Sequence, residues 1–323
     1  MINLIKPYVS FEEIEFELKE ILDSGILTTG KYSKLLPERI SEYTGADFSF
    51  NTTSATTALA MTMELLKIEK DDEVIVSDFS FPATANVVEQ RGAVPVFADV
   101  DRNTYNMTSE FLINKINKRT KAVIFVNALG NPTGMHEIES VCKEYSLPLI
   151  IDAACALGSS EKDVKVGDIG DMTCFSFHPR KLLTSGEGGA ITTSNKAYAE
   201  ELKIKLMHGA IVENGKWNFV DYGFNYRLPE IQSMMIIKQL LKLDSIVEDR
   251  IELQEYYKKE LSKVGLIAQQ HSSVSVHNMQ SVVFTVSENT DRDDLISYLR
   301  KNGVESVIGT YCISNCEYYK NKY

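Results

Sequence analysis

Between residues 73 and 151 the chain alternates short, almost wholly apolar runs with longer stretches whose apolar residues recur at helical spacing. Runs 73–76, 94–97, 122–126 and 147–151 have the length and unbroken hydrophobicity of strands covered on both faces. Stretches 58–66, 83–90, 109–116 and 138–145 read as the helices between them. Alternation of this kind predicts an α/β protein with a mostly parallel sheet between two helical layers. Upstream, Ser10-Phe-Glu-Glu13 is a capping-box pattern, followed by Ile14, Leu18, Ile21 and Leu22 and closed by Gly25. A second helix is expected through Leu35, Leu36 and Ile40.

Beyond Asp152 the alternation stops. Segments 172–177 and 189–193 read as strands with no long helix between them, so part of the sheet departs from simple parallel order. A long helix is expected over 229–263, carrying Ile236, Leu240, Leu243 and Ile246. It leads to a strand at 282–286 and a helix at 292–301. The expected division is a large domain over 1–240 and a smaller one over 241–323.

Composition narrows the function classes. A formal charge of −11 argues against broad nucleic-acid or anionic-membrane binding, so an anionic substrate must meet local positive groups. No apolar run is long enough to span a bilayer, and the first residues carry no signal-peptide pattern. Cys142, Cys155, Cys174, Cys312 and Cys316 supply no second pair beside Cys312 and Cys316, which points to no metal site and to a reduced cytoplasmic protein.

The chemistry concentrates at Lys181 and Asp152. Asp152 closes an apolar strand, and Lys181 follows another in Phe175-Ser-Phe-His-Pro-Arg-Lys181. An amine able to form a Schiff base and a carboxylate able to keep a pyridine nitrogen protonated are the two groups that pyridoxal phosphate requires. Ser54-Ala-Thr-Thr-Ala58 opens a helix and reads either as an ordinary N-cap or as a phosphate site with N–H groups near Thr56 and Thr57. Phe81 follows a strand and reads as core or as a ring-stacking group. Gly186-Glu-Gly-Gly189 leads into a strand, so it is a tight turn beside Lys181, and no nucleotide P-loop. Asn131-Pro-Thr-Gly134 reads as a turn opening the next helix.

Over residues 7 to about 311 the chain resembles the DegT/DnrJ/EryC1/StrS aminotransferases. The resemblance is carried by Leu22-Asp-Ser-Gly-Ile-Leu-Thr-Thr-Gly30, Phe79-Ser-Phe-Pro-Ala-Thr-Ala-Asn86, Asp152-Ala-Ala-Cys-Ala156, the Lys181 segment and Gly223-Phe-Asn-Tyr-Arg-Leu228. It implies the type I pyridoxal phosphate fold, with a mixed, mostly parallel seven-stranded sheet, a smaller α+β C-terminal domain, and a homodimer sharing its active sites. It further implies Lys181 as the Schiff-base residue and Asp152 as partner of the pyridinium nitrogen. Thr56, Thr57 and Ser176 would hold the phosphate, Phe81 would stack on the ring, and Asn225 would reach in from the neighbouring subunit. Glutamate would be the donor, a nucleotide-diphosphate keto-sugar (a 4-keto-6-deoxyhexose) the acceptor, and pyridoxamine phosphate the intermediate cofactor form. Cys155 stands where many members have Gln or His near the ring's phenolic oxygen, and His178 and Arg180 replace the commoner Tyr and Thr. Arg180 reads equally as a substrate-phosphate contact or an ion-pair partner. The chain stops at Tyr323, short of where such proteins continue, so the small domain reads as incomplete. Two alternatives stay open: a related sugar 3-dehydratase, which has His in place of the lysine, and a non-catalytic pyridoxal phosphate-binding regulator.

Overall fold

The computed structural model describes residues 1–323. Helix α1 (Phe11–Ser24) begins with the expected capping box, in which the Ser10 N–H donates to the Glu13 carboxylate at 3.0 Å, and ends at Gly25 in the left-handed conformation. Helix α2 (Lys31–Thr44) follows. Crossover helices α3 (Ala55–Leu65), α4 (Ala83–Glu89), α5 (Ser109–Ile113) and α6 (Met135–Glu144) then alternate with strands.

Seven strands form one sheet: β1 (Phe48–Thr52), β2 (Glu73–Ser77), β3 (Val94–Ala98), β4 (Thr120–Val126), β5 (Leu149–Asp152), β6 (Met172–Ser176) and β7 (Gly189–Thr193). Their spatial order is β1-β7-β6-β5-β4-β2-β3. Only β7 runs against the rest, paired antiparallel to both β6 and β1. The connection from β6 to β7 holds no helix, the element that usually carries a parallel crossover, and β7 returns antiparallel beside β6. The unbroken apolar strands feed two cores in alternation. Val123, Phe125 and Ile151 enter the layer that contains Leu36, Ile40 and Phe177; Ala122, Ile124 and Ile150 enter the one with Leu59, Met61 and Met63. The period of two persists inside a sequence that shows no polar alternation.

The later elements depart from the reading in places. After α7 (Lys196–Lys205), the expected helix over 229–263 is two, α8 (Glu230–Leu240) and α9 (Leu243–Leu261). The break lies at Lys242, whose ammonium donates to the Tyr8 carbonyl at 2.7 Å and pairs with Glu13 at 2.7 Å. Apolar spacing continues across it, with Leu240 and Leu243 both buried, so periodicity alone merges the two. Helix α5 stops at Ile113 rather than 116, because Asn117 turns the chain: its N–H donates to the Thr120 hydroxyl at 3.0 Å and its side-chain amide to Glu73 at 2.6 Å. The strand expected at 282–286 shrinks to Phe284–Thr285, paired with Ile267–Ala268. Helix α10 (Arg292–Lys301) lies where expected, and α11 (Glu317–Lys322) packs Tyr319 edge-on against Phe97. No helix is long and apolar enough to cross a membrane.

One buried histidine ties stability to pH. His277 is buried, its Nδ1 accepts the Met279 N–H at 2.8 Å, and burial, followed by the nearby His271 and Arg250 charges, pushes its pKa down to about 3. In the unfolded chain the ring takes a proton near its ordinary value of 6.5, while the folded chain refuses it until about 3. Unfolding therefore binds a proton throughout that window. Stability is level with respect to this group above pH 6.5 and falls below it, with a slope approaching ~1.4 kcal/mol per pH unit. Thermal melts of the parent and of His277→Gln between pH 7 and 5 should show a shallower acid loss in the variant; parallel curves would refute this.

Candidate active site

The carboxyl ends of β5 and β6 lie side by side, with Asp152 opposite Cys174. Asp152 is buried, and its Oδ2 accepts the Thr84 hydroxyl at 2.7 Å while Oδ1 accepts the Ala154 N–H at 3.2 Å. Thr84 is in turn 2.8 Å from the Ser80 hydroxyl. Burial pushes the Asp152 carboxyl up, and those two donors and the Lys181 charge oppose it. A buried carboxylate of this kind is stabilised by a cation or N–H⁺ group placed against it. Thr84 escaped the sequence reading: a threonine in the first turn of an apolar helix gives no signal of its own.

Lys181 stands in the loop that joins β6 to β7. Its Nζ lies 3.0 Å from the Cys155 sulfur, and its N–H donates to the His178 carbonyl at 2.9 Å. His178 accepts the Arg180 N–H at Nδ1, 3.2 Å, and burial holds its imidazole below the ordinary range, so it serves as a neutral acceptor. The Gly186–Gly189 stretch is the tight turn expected, with Gly186 at φ +85° leading into β7.

The strand register assembles a second cluster at the same edge. Thr52 of β1 pairs with Gly189 of β7, and Gly189 with Ser176 of β6. A Cβ at Gly189 would stand 2.5 Å from the Ser54 carbonyl carbon, so only glycine lets the turn before α3 close down on β7. Ser54 and Thr57 form a reciprocal cap, Ser54 Oγ accepting the Thr57 N–H at 3.1 Å and Thr57 Oγ1 accepting the Ser54 N–H at 3.0 Å. The N-cap reading of this segment is the one observed. The Thr57 amide is committed to the cap, while the N–H groups of Ala55 and Thr56 are left without intrahelical partners, as the first amides of any helix are.

The remaining candidates lie more openly. Phe81 is 64% exposed and touches Tyr311 only edge-on, so it is no core residue. Asn225 is exposed, and its side chain makes no hydrogen bond within the chain. The stretch that carries it is anchored upstream, where Tyr222 donates to Glu64 and Lys205 bridges Glu64 and Asp221 at 3.2 and 2.9 Å. Arg180 is exposed and forms no ion pair, which removes the structural alternative within this chain. Asn131 is wholly buried and structural, donating to the carbonyls of Thr104 and Gln270 at 3.0 and 2.9 Å. Sequence reasoning also missed Asn127, which follows the β4 residue paired with Asp152; its side-chain oxygen is buried without a partner.

These groups fit pyridoxal phosphate. A buried carboxylate at the end of β5 and an amine in the loop after the adjacent β6 match its ring nitrogen and aldehyde, the open amides at the start of α3 match its phosphate, and the orphaned Asn127 oxygen leaves a polar contact to be filled. Sheet and site together are those of a type I pyridoxal phosphate-dependent transferase. Comparison with known proteins agrees. The sequence profile of the DegT/DnrJ/EryC1/StrS aminotransferase family matches residues 10–323. An uncharacterised protein of Methanocaldococcus jannaschii is 37% identical over 272 residues, 81% of this chain and 70% of its own length. The GDP-perosamine synthase of Vibrio cholerae is 29% identical over 309 residues, 95% of this chain and 84% of its own. A Streptococcus pneumoniae protein assigned as a sugar aminotransferase, at 26% identity, superposes with TM-scores of 0.93 and 0.92 in its pyridoxamine phosphate and pyridoxal phosphate forms, covering 99% of this chain and 87% and 88% of theirs. The chain belongs to the DegT/DnrJ/EryC1/StrS aminotransferase family, and its cofactor is pyridoxal phosphate.

Proposed function

We propose that this aminotransferase moves an amino group from glutamate to a nucleotide-diphosphate keto-sugar, a 4-keto-6-deoxyhexose being the acceptor class. The observation that carries the reading is Asp152 buried at the end of β5, with Lys181 in the loop that leaves the adjacent parallel β6 and reaching Cys155 in the turn after Asp152. The sugar class is supported by the resemblance to an enzyme named for perosamine synthesis.

When bound, pyridoxal phosphate supplies an electron sink for the carbanion that forms beside the transferred nitrogen. Lys181 would attach the cofactor through Nζ and, when that amine is free, would carry the proton that leaves the substrate carbon. Asp152 holds the ring nitrogen in its protonated form, and Thr84 and Ala154 fix the carboxylate for that task. Ser176 and the amide edge at Ala55 and Thr56 would hold the phosphate, with Thr57 fixing that edge through its cap to Ser54. Phe81 covers the ring, and Cys155 takes the place beside the phenolic oxygen. Asn225 reaches the phosphate of a second copy of the chain, so the working unit is a homodimer with shared sites. Arg180, free of any ion pair, is the positive group nearest in sequence to Lys181 for an anionic substrate. Residues 1–240 form the cofactor-binding domain, 241–323 the smaller one, and the enzyme works in the cytoplasm.

The test is direct. Protein loaded with pyridoxal phosphate, given glutamate and a panel of nucleotide-linked keto-sugars, should release 2-oxoglutarate and show ping-pong kinetics. Release from glutamate with no transfer to any ketone of the panel would overturn the acceptor assignment.

A further inference from the structure

We propose that Gln280 is a positioning residue for Lys181, one side-chain amide that grips both peptides flanking it and so sets where its amine stands. The inference rests on Lys181 being the attachment residue. Gln280 Oε1 accepts the Leu182 N–H at 2.8 Å, and Gln280 Nε2 donates to the Arg180 carbonyl at 2.6 Å. An acceptor and a donor on one rigid amide thus straddle Lys181 as a neighbouring β-strand would, in a loop that has no strand beside it. Gln280 is buried, so water does not compete for either bond.

The clamp is itself held. The Gln280 N–H donates to Asn278 Oδ1 at 2.9 Å, and Arg250 donates to the carbonyls of Met279 and Gln280 at 2.6 and 3.1 Å. Asn278 turns its amide the other way, donating to the carbonyls of Cys155 and Leu157 at 2.9 and 2.8 Å. A Cβ at Gly130 would lie 2.2 Å from Asn278 Oδ1, so a glycine there makes room for this side chain. One short segment, 277–280, therefore grips the turn after Asp152 with one side chain and the Lys181 turn with the next. Between those turns Lys181 Nζ meets Cys155 Sγ at 3.0 Å. Gln239 repeats the device farther along the loop, accepting the Thr184 N–H at 3.1 Å and donating to its carbonyl at 2.7 Å.

Lysine is a long lever. A small rotation of either flanking peptide displaces Nζ far more than the backbone, and a ~1 Å misplacement of a reacting group costs about 100-fold in rate. Gln280 therefore acts on the rate of the proton transfer and leaves donor binding largely alone.

Two variants test this. Gln280→Met keeps the length and removes both bonds; Gln280→Glu keeps an acceptor for Leu182 and sets a carboxylate oxygen against the Arg180 carbonyl. Hydrogen exchange at the Leu182 amide, read on the apo protein, should quicken about tenfold in Gln280→Met, the loss of one buried bond worth ~1.4 kcal/mol. It should stay near parent in Gln280→Glu. In the loaded enzyme kcat should fall about 10- to 100-fold in Gln280→Met, with KM for glutamate within about threefold of the parent. Leu182 exchange unchanged in Gln280→Met, or a lowered melting temperature with kcat intact, would overturn the proposal. Should Gln280→Met fail to fold, Gln280→Glu decides: Leu182 protection with lowered kcat supports the clamp, and parental kcat overturns it. Borohydride reduction of the loaded parent followed by peptide mapping keeps the two ideas apart. A label away from Lys181 sinks the attachment reading, whereas the apo exchange result judges the clamp alone.

Discussion

Lys181→Met should purify without covalently held cofactor and turn over at least about 10⁴-fold more slowly than the parent. Two losses combine. The chain can no longer anchor the cofactor aldehyde, and the amine proposed to carry the substrate proton is gone. The effect should be chemical and not structural: the one side-chain hydrogen bond of Lys181 runs to the Cys155 sulfur, a weak partner, and its backbone is held by Gln280 and the His178 carbonyl. Methionine fills a similar volume, so melting temperature should change little. Borohydride reduction followed by mass analysis should show the cofactor adduct on the parent's Lys181 peptide and none on the variant. A variant retaining a reducible adduct, or activity within about tenfold of the parent, would refute the assignment.

Asp152→Asn should lower kcat about 10²- to 10³-fold, the usual loss when one buried electrostatic partner of a reacting system is removed. The same change should stabilise the protein without cofactor. Burial raises the Asp152 carboxyl pKa despite the hydrogen bonds from Thr84 and Ala154 and the Lys181 charge. For a carboxyl raised in the folded state, the unfolded chain releases its proton first as pH climbs. The folded state is therefore penalised above the unfolded value near 3.9, and the penalty grows until the folded pKa is passed. Asparagine with its oxygen toward Thr84 keeps that bond, gives up the longer one from the Ala154 N–H, and carries no charge. At neutral pH the apo variant should gain ~1–2 kcal/mol, the usual range where strain at a functional site is relieved. Loading the parent with pyridoxal phosphate should erase that advantage, since the ring N–H⁺ then pairs with the carboxylate. Melting curves of both proteins, apo and loaded, check the prediction; an apo variant less stable than the apo parent would contradict it.

The sheet was legible because its strands are buried on both faces and so are written as short apolar runs, each followed by a helical period. The capping box at Ser10 and the αL glycine at Gly25 marked α1 for the same local reason. β1 was not legible: Phe48–Thr52 alternates apolar and polar residues over only five positions at the sheet edge, too short a run to stand out. The split between α8 and α9 was hidden because a lysine reaching back to Tyr8 and Glu13 ends the helix, and no proline or glycine marks the spot. At the site, Lys181 and Asp152 were visible as charged residues that end apolar strands, and Ser54 as a helix cap. Thr84, Asn127, Asn278 and Gln280 were not, since each is an ordinary polar residue until a distant segment comes within hydrogen-bonding reach.

The amino-acid sequence by itself determined the layer architecture and the family, and it singled out the amine and the carboxylate on which the proposed chemistry rests. Those depend on local pattern and on residue type, which burial and bond-forming capacity dictate directly. Only the tertiary structure decided how the lysine is aimed and the carboxylate held. Those contacts join Thr84 to Asp152, Gln280 to Arg180 and Leu182, and Asn278 to Cys155, across 68 to 123 residues of chain. Hydrogen bonds select partners by distance and angle in space, and a linear order of residues records neither.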